Sequence, residues 1–264
     1  MKNWKSVLAA VALSATIVAC NNTSTQKTAT EDSAEQAITV NAIAHAKEFP
    51  GATLNIASIT SEKVGTDSAK ITVKYDVQNF NLTEQTEHDH HMANSHDGQH
   101  IHFILDNKPY IALYKPEHSV TVPVNSEHYL LSFLSRSFHE SIKTPEASKL
   151  TKFNVNADGV IEELPAPTEP SLFYSRPKGA YKGDDTKTLL LDFFVANTTL
   201  AADGHKVAAV INGQEFTLDQ WTPYEILNLP MGETTVKLTL VDSDGNPVSG
   251  DNVSIESKVT LSAE

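Results

Sequence analysis

Lys70-Ile71-Thr72-Val73-Lys74-Tyr75-Asp76-Val77 places an apolar side chain at every second position, the period of a β-strand with one buried face. His100-Ile101-His102-Phe103-Ile104-Leu105 does the same through Ile101, Phe103 and Leu105. Outward from these two runs, the chain matches itself. Leu54 to Leu82 aligns without gaps on Leu172 to Leu200 at an offset of 118, pairing Leu54/Leu172, Gly65/Gly183, Asp67/Asp185, Val77/Val195, Asn79/Asn197 and Leu82/Leu200. Ile71, Val73 and Tyr75 meet Leu189, Leu191 and Phe193. The register resumes at an offset of 106, with Gly98 to Asn107 on Gly204 to Gly213 and Glu127 on Glu233. The offset shortens by twelve, so the first copy carries about twelve extra residues, essentially Gln85 to His96.

Each copy holds about seven short strand candidates in roughly a hundred residues, the pattern of a two-sheet sandwich, and no long stretch has helical apolar spacing. The expected fold is all-β: two tandem immunoglobulin-like β-sandwich domains, over 39–156 and 171–264. Asn156 to Pro170 is acidic and contains Pro165, Pro167 and Pro170, so 157–170 reads as a semi-rigid linker. Lettering the first copy A to G makes Lys70 to Phe80 strand B, His100 to Asn107 strand C, Ser119 to Val124 strand E and His128 to Ser135 strand F.

At the N-terminus, Lys2 and Lys5 precede Val7 to Ala19, about thirteen mostly apolar residues. A helix of that length is too short for a bilayer core of about 30 Å but suits a signal peptide, placed at 1–19. Ile17-Val18-Ala19-Cys20 resembles the lipobox of bacterial lipoproteins. That resemblance implies cleavage before Cys20 and lipidation of Cys20 with acyl chains such as palmitate, giving a membrane anchor without a transmembrane helix. Asn21 to about Ala37 is polar and almost free of apolar residues, so 20–38 reads as the lipidated cysteine and a flexible tether. Asn21 stands where an Asp would retain many Gram-negative lipoproteins at the inner membrane, which points to the outer membrane of the cell envelope.

Gly98-x-His100-x-His102-Phe103-x-Leu105-Asp106, with Ser126-Glu127-His128 opening a later strand, resembles a pattern in poorly characterised bacterial lipoproteins, many from the Bacteroidetes, with small tandem sandwich domains. The resemblance covers most of the mature chain. It implies fold and lineage and brings no catalytic residues.

The 33 acids outnumber the 20 bases, for a formal charge of −13, which argues against nucleic-acid binding and for cations. A single cysteine excludes an internal disulfide, a thiolate zinc site, an iron–sulfur cluster and a CxxC pair. Eleven histidines are an excess, and they are unevenly placed. His88, His90, His91 and His96 fall on the inserted B–C loop. His100 and His102 share one face of strand C, His118 sits at the D–E loop and His139 follows strand F. An immunoglobulin-like strand order brings these loops to one end of the sandwich, so all eight are candidate ligands for one zinc or copper ion, while His128 falls at the other end. Glu87, Asp89 and Asp97 could add oxygen ligands, and Met92 a sulfur for Cu(I). The second copy has Lys206, Ala208, Tyr224 and Gly245 in place of His100, His102, His118 and His139, so the fold does not require the histidines. Two other readings stay open: a solvated histidine-rich loop with no defined site, or a surface that switches contacts as its histidines charge near pH 6.

Ile104, Tyr129, Leu131 and Phe133 should share the outer face of strands C and F, where the second copy has Thr235, Lys237 and Thr239 in place of the last three. They form a candidate apolar contact patch, for a protein or glycan partner or for docking against the second sandwich or the linker. Trp221, with Phe216 and Tyr224, reads as an aromatic platform for sugars or as packing under a loop. GxSxG, HExxH, P-loop and GxGxxG motifs are absent, and the adjacency Ser137-Phe138-His139-Glu140 is not evidence of a triad, which is assembled in space. The expectation is a non-enzymatic, membrane-anchored binding lipoprotein that captures a divalent metal ion, zinc or copper, through its histidine-rich loop and strand C. The alternative is a structural or adhesive β-sandwich module that binds a protein or glycan without metal.

Overall fold

The computed structural model describes residues 36–44, 46–87 and 92–264. The signal peptide, Cys20, the tether as far as residue 35, and His88, His90 and His91 lie outside the described residues. The strands run β1 (Thr39–Ala42), β2 (Thr53–Val64), β3 (Ser68–Gln78), β4 (His100–Leu105), β5 (Ile111–Leu113), β6 (Glu117–Pro123), β7 (Ser126–Ser135), β8 (Ser148–Val155) and β9 (Ile161–Glu163). The second series is β10 (Ser171–Arg176), β11 (Gly179–Lys182), β12 (Thr188–Ala196), β13 (Lys206–Ile211), β14 (Gln214–Leu218), β15 (Tyr224–Leu227), β16 (Gly232–Val241) and β17 (Ser254–Ser262).

Sheets β2-β3-β6 and β5-β4-β7-β8-β9 make the first sandwich; sheets β1-β15-β12-β10 and β11-β17-β16-β13-β14 make the second. The protein is all-β, with two sandwiches in tandem. Ile71, Val73, Ile101, Phe103, Leu130 and Phe153 sit in the first core; Leu189, Leu191, Phe193, Val207, Val236 and Leu238 in the second. The matched positions share backbone geometry. Asn79 and Asn197 both take positive φ, at 56° and 58°, as do Asp106 and Asn212 at the turn after strand C, at 54° and 47°. Short polar side chains that tolerate the left-handed region are what such turns require.

Three boundaries differ from the sequence expectation. β1 does not belong to the first sandwich. It pairs antiparallel with β15, Thr39 opposite Leu227 and Ala42 opposite Tyr224, and covers an edge of the second sandwich that would otherwise expose its backbone. Ile38, placed in the tether by its polar surroundings, is buried in that same core, and Asn228 donates to the Ala37 carbonyl. The proline-rich linker is also shorter than 157–170, because Ile161–Glu163 folds back on β8 through a turn whose Asn156 Oδ1 accepts the Asp158 and Val160 amides.

The two sandwiches pack together within one compact unit, Gln36–Glu264. Ile104, Leu131 and Phe133 are fully buried against Phe173 and Phe194 of the second sandwich, and the Phe133 and Phe194 rings stack at 5.3 Å. Three of the four candidate patch residues are therefore an internal seam and not a free surface. The fourth, Tyr129, is half-buried and bonds Asp251 through its hydroxyl at 3.3 Å. Trp221 belongs to the same seam, edge-on to Phe194 at 4.7 Å with its indole N–H on the Phe193 carbonyl, so it is packing and not an open platform. Polar contacts fix the register. Asn107 bridges the Leu172 carbonyl and the Tyr174 amide, and the Lys143 ammonium and the Ser141 hydroxyl both bond Asp192.

Candidate metal centre

Seam burial alters what strand C can hold. In β4 the odd-numbered residues face the first core, so His100, His102 and Ile104 point away from it. The second sandwich covers that outer face, and both imidazoles are fully buried. His139 reaches them from the turn after β7. Among the described residues, His100, His102 and His139 form a histidine cluster with one ring nitrogen each within 4.8 Å of the others.

Each ring is oriented from behind. Gly98 has a positive φ of 83°, and a Cβ there would lie 2.3 Å from the Thr83 carbonyl oxygen, so only glycine fits. Its carbonyl accepts the Nδ1 proton of His100 at 2.8 Å, which leaves His100 Nε2 bare and facing the cluster. Ser175 of the second sandwich bonds His102 Nδ1 at 3.1 Å and leaves His102 Nε2 turned inward. His102 also stacks face to face on Tyr110 at 3.6 Å, and the Tyr110 hydroxyl lies 3.1 Å from His139 Nδ1.

The three rings bring their remaining nitrogens together. His100 Nε2 lies 2.9 Å from His102 Nε2 and 3.0 Å from His139 Nδ1. It has one lone pair, so it cannot fully accept from both neighbours. A cation among the three nitrogens is the alternative to these bonds, with each of the three lone pairs turned to positive charge and the Tyr110 proton turned away from His139 Nδ1. Zinc or copper bound at about 2.0–2.1 Å holds imidazole nitrogens about 3.3–3.6 Å apart, so the rings need move only by tenths of an ångström to roughly an ångström.

The rings are also in the protonation state that a ligand needs. Burial lowers the pKa of His100 to about 4, with Arg176 and Lys178 adding to the effect against the Gly98 carbonyl. Burial pushes His102 well below its ordinary value, reinforced by His100, His139, Arg176 and Lys178. His139 is lowered in the same way, through burial first and then Arg176, His100 and Lys178.

His139 stands out in its backbone. It takes a φ of 73°, where the equivalent turn of the second sandwich has Gly245 at 86°. The two turns share their hydrogen bonds, Arg136 N to Glu140 O matching Asp242 N to Asn246 O, and His139 N to Arg136 O matching Gly245 N to Asp242 O. A left-handed non-glycine costs about 1–2 kcal/mol. The buried Arg136–Glu140 pair at 2.9 Å, with Arg136 also donating to the Lys47 and Ser141 carbonyls, holds the turn in place.

Among the described residues, the other candidate ligands do not join the cluster. His118 lies on β6 in the opposite sheet and packs edge-on against Phe103 at 4.9 Å, on the inner side of strand C. Its expected convergence with His100 fails because His118 turns to the core while His100 turns away from it. His96 is exposed, with its carbonyl held by Gln85. Met92 is buried, and Ala93 packs on the second core. The loop flanks are anchored through reciprocal bonds between Thr86 and Ser137 and from Thr86 to Gln99. His128 binds Asp106 at the far end of strand C.

The residues that sequence reasoning missed are Tyr110, Ser175, Arg176 and Lys178. One signal was present. Ser171-Leu172-Phe173-Tyr174-Ser175-Arg176 and Leu189-Leu190-Leu191-Asp192-Phe193-Phe194 carry large side chains at both parities, as strands covered on both faces do.

No family model matches the chain, and no curated relative matches it. Among solved structures, the fibronectin(III)-like modules of Clostridium thermocellum CbhA align with 80% of this chain and 95% of theirs, at 11% identity and a TM-score of 0.28. The central fibronectin-III array of RIM-binding protein aligns with 80% of this chain and 70% of its own, at 10% identity and a TM-score of 0.26. The fold stands on the sheet order itself.

Proposed function

We propose that this protein is a membrane-anchored metal-binding lipoprotein that holds a single zinc or copper ion between His100, His102 and His139, at the seam of its two sandwiches. The observation that carries the reading is the convergence of three imidazoles, with His100 Nε2 flanked at 2.9 and 3.0 Å by two further ring nitrogens. Anchoring is supported by Ile17-Val18-Ala19-Cys20 and the polar residues after it. The expected protein has no part in nucleic-acid chemistry or catalysis. Calorimetric titration of the full chain in detergent with Zn²⁺ and with copper is expected to show one ion per chain lost from a His100→Ala/His102→Ala variant. Equal binding by that variant would sink the site. Palmitate labelling in cells is expected to be lost in Cys20→Ala.

A second reading is a structural or adhesive module with no metal, which binds a protein or glycan. It is favoured by the partners that each ring already has, Gly98, Ser175 and Tyr110, which make the cluster a polar core in its own right. Under that reading the double variant loses stability and neither protein takes up metal.

A further inference from the structure

Resting on that reading of the cluster, we infer that the ion it takes is monovalent copper, Cu(I), in preference to any divalent cation.

The donor set is the first reason. The cluster consists of three imidazoles and, among the described residues, contains no carboxylate or thiolate. Neutral ligands leave the full charge of the ion uncompensated, and both His100 and His102 are fully buried. The cost of burying an ion rises with the square of its charge, so a dication suffers about four times the desolvation cost of a monocation in the same cavity.

The surrounding charge is the second reason. Tyr110 lies flat on His102, and over the other parts of its ring sit the Lys178 ammonium, 4.1 Å from the centroid, and the Arg176 guanidinium, 5.4 Å away. Both are fixed there: Lys178 donates to the Tyr110 carbonyl at 2.6 Å, and Arg176 to the Tyr181 hydroxyl at 3.0 Å. Their repulsion is twice as large for a dication as for a monocation at the same point. Carboxylates in these two positions would favour a dication; the site has two bases instead.

The third reason is coordination number. Zinc in protein sites is almost always four-coordinate, and a three-histidine zinc site completes its shell with water. Cu(I), a soft ion, is content with three nitrogen donors in a plane. On the His139 side of the site, the space lined by Ala93, Phe138, Arg176, Tyr181 and Leu190 has no room for a water molecule. The Tyr110 hydroxyl is the only phenol within bonding distance of a ligand nitrogen among the described residues. It stands there as a hydrogen-bond partner of His139, outside the three-nitrogen set.

The test is an anaerobic competition on the full chain in detergent, with bicinchoninate as the Cu(I) indicator and a chromogenic chelator for Zn²⁺. A variant in which His88, His90, His91 and His96 are all replaced by Asn removes the loop histidines as competing donors. The expected result is one Cu(I) per chain in wild type and loop variant alike, at least about 100-fold weaker in His102→Ala, with Zn²⁺ bound at least about 100-fold more weakly than Cu(I). X-ray absorption on the Cu(I)-loaded loop variant is expected to show three nitrogen neighbours and no sulfur. Zinc binding as tight as Cu(I) and equally sensitive to His102→Ala would overturn the choice of ion and leave the metal reading standing. No binding of either metal, or Cu(I) lost from the loop variant and kept in His102→Ala, would overturn both.

Discussion

Strands β4 and β13 are the same element in two copies, and they differ in one respect. In β13, Val207, Ala209 and Ile211 are buried while Lys206, Ala208 and Val210 remain half-exposed, as a strand at a solvated sheet face should. In β4 all six residues are buried, because the second sandwich covers the face that its own sandwich leaves open. The neighbouring strand follows suit: Leu131 and Phe133 of β7 are buried where Lys237 and Thr239 of β16 are not. A polar ligand set can be kept dry on a sheet's outer face only if another domain covers it. The first sandwich supplies the three proposed ligands, and the second supplies the enclosure.

The sharpest way to break this comparison is to unseat the enclosure. Phe133→Ala removes a fully buried ring stacked on Phe194 and is expected to destabilise the protein by about 4 kcal/mol, whereas Thr239→Ala at the equivalent position should cost about 0.5 kcal/mol or less. Guanidinium unfolding curves of the two variants measure this, and equal costs would mean that the seam carries no stability.

Gly98 and Gly204 sharpen it further. A Cβ at Gly98 would collide with the Thr83 and Glu84 carbonyl oxygens at 2.3 and 2.6 Å, while one at Gly204 meets the Ala201 Cβ at an ordinary 3.5 Å. Gly98→Ala is therefore expected to cost about 3 kcal/mol and to abolish metal uptake, because the carbonyl that orients His100 must move. Gly204→Ala should leave stability within about 1 kcal/mol of wild type and metal uptake intact. A metal-competent Gly98→Ala would show that His100 needs no such support.

Acid should bear on the histidine cluster of the first sandwich, which the second sandwich lacks. The folded pKa of His100 is about 4, below its unfolded value near 6.5, and His102 and His139 shift the same way. Folding therefore keeps these rings deprotonated. Their neutral-state stability is present above about pH 6.5 and is lost as pH falls toward 4, on the order of 3 kcal/mol for His100 alone. Stability measured from pH 7 to pH 4 should fall more steeply for wild type than for His100→Phe/His102→Phe. Parallel curves would contradict the burial of neutral imidazoles.

Much of this was legible in the chain. The alternation from Lys70 to Val77 marks β3, and the paired Asn79/Asn197 and Gly65/Gly183 mark turns that recur with the same positive φ. The pairing of His100 with His102 follows from strand parity alone. The rest depended on tertiary placement. β1 is four residues long, too short for periodicity to say which sheet it joins. Parity shows that His100 leaves its own core, but not that Ser175 and Arg176 of another domain await it. His118 was assigned by loop topology, which fixes the end of a sandwich and not the side of a sheet.

His139 gives the smallest effect on stability and the most selective one on the site. At the matching turn the second sandwich has Gly245, with the same left-handed backbone and the same two hydrogen bonds. His139→Gly should relieve about 1 kcal/mol of backbone strain, which offsets part of the packing lost with a half-buried ring, so the net cost should be about 1–2 kcal/mol, below that of Phe133→Ala. Metal affinity should fall at least about 100-fold, since one of three ligands is gone. A purely structural histidine predicts a different split, a loss of stability with no change in metal uptake. The left-handed turn would then have cost the first sandwich a kilocalorie for packing alone, where its own second copy uses glycine.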